Sequence, residues 1–200
     1  MGDGLDRLGG RPLRGSGLVT RRFREAGAAD FAEAARLVWR LPYGRISERA
    51  RVWLVLDEGR GTCTTKHALL ANLAREQSLD VQLTLAIYEM SERNTPGVGA
   101  VLARHGLDCL PEAHCFLRHE GVRIDVTGVP AGAEPIERFL HEEPITIAQI
   151  GEYKIERHRQ FLRDWLARGP EGTRLDVEDA WRIREACIAA LAAGTSARPA

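Results

Sequence analysis

Two hundred residues, 44% of them hydrophobic, suffice for one globular domain with a core of its own. The 28 basic and 28 acidic side chains cancel to a formal charge of zero, which argues against nucleic acid as a partner, since phosphate binding shows as a basic excess. No apolar run approaches the roughly 18–20 residues that span a bilayer, and Met1 onward is rich in Gly, Arg and Asp rather than in a leader's apolar core. The expectation is a cytoplasmic chain with no membrane partner.

Residues 1–18 hold six glycines and one proline without apolar periodicity and read as a flexible tail. Residues 194–200 read as a second short tail, and 19–193 as a single domain. The first helix is predicted from the N-cap candidate Asp30, with Phe31, Ala34, Ala35, Val38 and Trp39 on one apolar face and Pro42 ending it. Residues 51–57 (RVWLVLD) fit either a buried strand or a helical segment. A glycine-bracketed loop, Gly59 to Cys63, leads into a helix over 64–77.

Residues 81–88 alternate apolar and other side chains and predict a strand, and 98–105 a short helix ended by Gly106. Ala113 to His119 and Val122 to Thr127 read as a hairpin turning at Glu120-Gly121. Two further helices are expected over 147–167 and 177–193, the second capped by Asp176. The charged residues Glu152, Lys154, Glu156, Arg157, His158 and Arg159 read as solvated surface, and Cys187 and the four tryptophans as core. The fold class is α+β, a small antiparallel sheet packed with helices and extended by C-terminal helices.

The four cysteines form no C-x-x-C pair and read as reduced thiols. Cys63 follows the N-cap candidate Thr62, which places it in a helix's first turn, where a thiolate is favoured and backbone N–H groups can stabilise an oxyanion. Gly59 and Gly61 would leave room for a substrate backbone. With a two-residue loop at Glu120-Gly121, Cys115 faces Val126 and Leu117 faces Ile124. His114 and Asp125 are then diagonal neighbours on the other face, about 7–8 Å apart at the backbone. A one-residue slip would separate them. Taken singly, such residues are more often a small buried thiol, a satisfied core histidine and a turn carboxylate.

Gly61-Thr-Cys-Thr-Thr-Lys-His-Ala-Leu-Leu70, Ala113-His-Cys-Phe-Leu117 and Arg123-Ile-Asp-Val-Thr127 together resemble the three core motifs of the transglutaminase-like superfamily, over roughly residues 59–128. The flanks Pro42-Tyr-Gly-Arg45 and Gln149-Ile-Gly-Glu-Tyr-Lys154 are similar to those of uncharacterised bacterial members. Cys115 stands where the family often has tryptophan or valine, and Asn94-Thr-Pro-Gly97 is an insertion. The resemblance implies a papain-like core, with Cys63 as nucleophile, His114 as general base and Asp125 orienting it. The chemistry implied is acyl transfer or amide hydrolysis on a protein, peptide or small amide, without a cofactor. The alternative is a binding or scaffold domain that keeps the fold without turnover.

His67, four residues after Cys63, falls on the same helix face; with Lys66 it reads as pocket lining, the alternatives being a second base, a pair with Lys66 that lowers the cysteine's pKa, or an exposed polar residue. Cys63, His67, Cys109, His114 and Cys115 offer soft ligands, but their spacing is not that of a zinc site, so no metal is expected.

Overall fold

The computed structural model describes residues 10–128, 132–169 and 175–195. It is an α+β fold with seven α-helices and a four-stranded antiparallel sheet among the described residues. The chain divides into two compact units, each made of interleaved segments. The first unit comprises Met1–Leu85, Cys115–Gly128 and Glu143–Gly151; the second comprises Ala86–His114, Val129–Glu142 and Glu152–Ala200.

In the first unit, α1 (Leu18–Glu25) buries Val19, Thr20 and Phe23, and α2 (Phe31–Arg40) buries Phe31, Ala34, Ala35 and Val38 on the predicted stripe. Asp30 caps α2 by accepting from the Glu33 N–H at 2.8 Å. The ambiguous 51–57 stretch ends as a short helix, α3 (Leu54–Asp57). The longest helix of this unit, α4 (Cys63–Glu76), is buried over most of its length and packs against α1, α2, α3 and the 3-10 turn Ile147–Ile150. Each fully buried Leu, Val or Phe of this layer contributes about 1.5–3 kcal/mol.

Nothing adjacent in the chain announces α1, because its cap is remote. Gly17 has no side chain, and the Glu76 carboxylate accepts from the Val19 N–H at 3.1 Å and the Thr20 N–H at 2.7 Å. Burial opposes ionisation of Glu76, but its bonds from Thr20 and Val19 outweigh it and hold the carboxyl below its ordinary range. A Cβ on Gly17 would stand 2.2 Å from that carboxylate, which would have to move off the α1 N–H groups it caps. The stretch expected as an N-terminal tail is anchored from Gly10 onward: Pro12 bridges to Asp30, and Leu13 is buried with its N–H on Ala29. Residues 1–9 lie outside the described residues.

The sheet has strand order β3-β2-β1-β4, with β1 (Gln82–Met90), β2 (Leu110–His119), β3 (Val122–Ile124) and β4 (His141–Pro144). The first half of β1 and the second half of β2 belong to the first unit, and their other halves to the second. β1 is buried on both faces from Leu83 to Tyr88, so its alternation does not mark an inside and an outside. Glu120 and Gly121, at φ 49° and 77°, form the two-residue hairpin turn. Leu117 pairs with Ile124, the expected register. β3 stops at Ile124, however, so Asp125, Val126 and Thr127 leave the ladder instead of extending it to His114.

The second unit has its own core: Tyr88, Met90, Val98, Leu102, Leu110, Leu162, Ala180, Ile183 and Cys187. Around it lie α5 (Gly99–Arg104), α6 (Glu152–Ala167) and α7 (Val177–Thr195), the last capped by Asp176, which accepts from the Asp179 N–H at 2.8 Å. The helix expected from Ile147 is broken at Gly151, which separates the 3-10 turn from α6. Helix α7 runs through Gly194 to Thr195, and 196–200, part of the expected C-terminal tail, lie outside the described residues. Lys154 and His158, expected on a solvated face, are buried at 6% and 1% exposure. Among the described residues no helix is long and apolar enough to cross a membrane.

Candidate functional site

Cys63 is the first residue of α4. Thr62, extended at φ −80° and ψ 169°, caps the helix through a reciprocal box with Thr65, whose hydroxyl accepts from the Thr62 N–H at 3.0 Å. The thiol sits in the turn where the helix dipole favours negative charge. Its residue is 7% exposed, and Sγ lies 3.8 Å from the Thr64 hydroxyl.

The loop before it is held by the Pro42-Tyr43-Gly44 segment. Tyr43 bridges to Gly61, whose N–H donates to the Pro42 carbonyl at 3.2 Å, while the Gly44 N–H donates to the Gly61 carbonyl at 3.3 Å. Gly61 was expected to give a substrate room. Instead its open side is filled, since a Cβ there would stand 2.8 Å from the Lys66 stem and 3.2 Å from Val55. The missing side chain serves packing.

Lys66 is fully buried, and its ammonium donates to the carbonyls of Leu41 at 2.6 Å and Thr127 at 3.0 Å. It ties the end of α2 and the chain beyond β3 to the first turn of α4. His67 is fully buried as well, which removes the exposed-polar alternative. Its Nε2 accepts from the Val126 N–H at 2.8 Å, so the ring proton resides on Nδ1 and is donated to the Cys63 carbonyl at 2.7 Å. This neutral tautomer has both nitrogens engaged by backbone groups, which leaves neither to serve as a base for the adjacent thiol.

Asp125 accepts from the Thr127 N–H at 3.0 Å and the Thr127 hydroxyl at 2.6 Å, a local turn that fixes its carboxylate. Its Oδ1 lies 3.6 Å from His67 Nε2. Because that nitrogen is an acceptor, the contact is not an ion pair. The first unit thus gathers Cys63, Lys66, His67 and Asp125 around the start of α4.

His114 ends the second unit's first segment, on β2. It is buried at 6% exposure, its ring set edge-on to Tyr88 with centroids 5.9 Å apart, and the Tyr88 hydroxyl is bonded to Thr95 at 2.9 Å. Burial, then the charge of Glu112, pushes Cys187 up to about 11. Burial, then Glu89 and Asp108, raises Cys109. Cys115 is wholly buried.

A cavity of about 600 Å3 opens in the second unit among Tyr88, Glu92, Arg93, Cys109, Ile136 and Arg138, and none of Cys63, His114 and Asp125 lines it. Among the described residues no three His, Cys, Asp or Glu side chains are grouped so as to hold a metal ion. No known protein family, curated protein or solved structure matches the chain.

Proposed function

We propose that the chain is a cysteine-dependent enzyme of acyl transfer or amide hydrolysis, acting on a protein, peptide or small amide, with a transglutaminase-like core. Cys63 is the nucleophile, His114 the general base and Asp125 the carboxylate that orients it. The observation that carries the reading is the thiol's place: the first residue of a side-chain-capped, buried helix. The motif resemblance supports it further.

In the proposed reaction His114 takes the thiol proton and Cys63 Sγ attacks the substrate carbonyl carbon. The carbon–nitrogen bond breaks, and the amine leaves with the proton from His114. A thioester remains on Cys63. Water, or an amine, then adds to it as His114 removes its proton, and the acyl product leaves as the sulfur recovers its hydrogen. The dipole of α4 favours the thiolate and the developing oxyanion.

Iodoacetamide titration followed by peptide mass spectrometry tests the reading. Cys63 should label first, with a rate–pH midpoint below the ordinary thiol value of about 8.5, while Cys109 and Cys187 lag. Amide cleavage or amine incorporation should vanish in Cys63→Ala. Uniformly slow labelling of all four thiols would sink the proposal. A Cys63→Ala variant matching the parent in amidase, peptidase and amine-incorporation assays would mark a binding domain instead.

A further inference from the structure

The second unit buries a charged group that the proposed chemistry does not use. Glu112, near the start of β2, receives two parallel bonds from Arg184 of α7: Nε to Oε2 at 2.8 Å and the terminal nitrogen to Oε1 at 2.6 Å. The side chains are only 6% and 13% exposed. One residue earlier, the Pro111 carbonyl accepts from His158 Nε2 of α6 at 2.8 Å. Trp181 closes the group, with the His158 ring 5.3 Å away edge-on and the guanidinium carbons of Arg159 and Arg184 at 4.6 and 5.3 Å. Lys154 is buried too, and its charge also acts on Glu112. Burial opposes ionisation of Glu112, but Arg184, with His158 and Lys154, outweighs it and holds the carboxyl below its ordinary range.

A buried ion pair is a poor stabiliser, because desolvation consumes most of its attraction and apolar replacements of equal volume serve as well or better. What a bidentate Arg–carboxylate fork does supply is a fixed geometry. Here the fork joins α7 to β2, and the His158 bond joins α6 to the neighbouring residue of the same strand. His114 lies two residues further along, about 6.6 Å away and on the same side of the strand as Glu112. A strand held at Pro111 and Glu112 cannot shift or rotate without carrying the imidazole with it.

We infer that the Glu112–Arg184 pair is a positioning device for His114, fixing the depth and orientation of the imidazole through two residues of β2. This rests on the proposed role of His114 as the base. Misplacement of a reacting group by about 1 Å can cost about a hundredfold in rate, so a loosened clamp should be visible in the chemistry.

The test compares Cys63 alkylation over pH in the full chain for the parent, His114→Asn, Arg184→Lys, and the paired apolar variant Glu112→Leu/Arg184→Met, each held well below its melting temperature. Arg184→Lys keeps the charge and loses the fork. The paired variant removes both charges and should keep a melting temperature near the parent's. Expected is a neutral-pH labelling rate about tenfold lower in both clamp variants, with the pH midpoint displaced toward that of His114→Asn. Should Arg184→Lys not fold, the paired variant decides. Parent-like profiles in the clamp variants, beside a shifted His114→Asn profile, would overturn the clamp and leave the base standing. A His114→Asn profile identical to the parent's would overturn both.

Discussion

In the first unit, Lys66 and His67 are fully buried and bond to backbone: two carbonyls for the ammonium, a carbonyl and an N–H for the imidazole. In the second, the buried Glu112 is held by Arg184, which is half-buried and also bonds to Glu185. Both arrangements satisfy polar groups away from water, but they fail differently. Removing a backbone-satisfied side chain leaves neutral orphans, whereas removing one member of an ion pair leaves a charge in a low dielectric. The first arrangement fastens loops around Cys63; the second fastens a strand to two helices.

The largest expected break in this comparison is Glu112→Ala, which takes the buried carboxylate from Arg184 and leaves it the more exposed Glu185 at 2.7 Å; it should cost up to about 3–5 kcal/mol in urea unfolding, while Glu112→Leu/Arg184→Met stays close to the parent. A single variant no worse than the double would mean that Glu185 or water takes the place of Glu112. Next comes Lys66→Met, which keeps the stem against Gly61 but orphans the Leu41 and Thr127 carbonyls. About 1–3 kcal/mol should be lost, with no rescue from any change in the second unit.

The smallest effect is the dependence on pH. Burial lowers the pKa of His158 below its ordinary 6.5, so the folded state resists a proton that the unfolded chain accepts. Its contribution is therefore complete above 6.5 and declines as pH falls through that value toward the folded one, at up to about 1.4 kcal/mol per pH unit. Glu112, also depressed, contributes fully above its ordinary 4.5 and is lost as pH falls through its folded value. Unfolding midpoints should thus fall in two steps, and His158→Gln should remove the upper one. A profile flat from about 6.5 to about 5 would place His158 in contact with water.

What could be read in the sequence was what neighbours in the chain decide. Asp30 and Thr62 cap helices within their own first turns, which is why Cys63 at the start of α4 was legible. The Glu120-Gly121 turn set the hairpin register by itself. Partners distant in sequence stayed hidden. Helix α1 is capped by a carboxylate more than fifty residues later. His158 and Lys154 sit in a charged run whose periodicity says surface, yet both are buried, His158 against the β2 backbone and Trp181 of α7. His67 could be placed on the face of Cys63, but its partners are backbone groups, and these carry no residue signature. The end of β3 at Ile124 was equally unreadable, because Asp125 turns onto Thr127 through its own side chain.

Each unit is assembled from three separate stretches of chain, and the polypeptide passes between them five times. Neither can therefore be excised as a continuous fragment. A chain cut after Gly151 would retain every segment of the first unit, yet it would still carry Ala86–His114, stripped of the α6 and α7 side chains that cover Tyr88, Met90 and Leu110. Engineering by truncation or fusion at an internal breakpoint would trade one folded body for an exposed apolar strand. Inheritance works under the same rule, and recombination within 86–151 would divide both units at once.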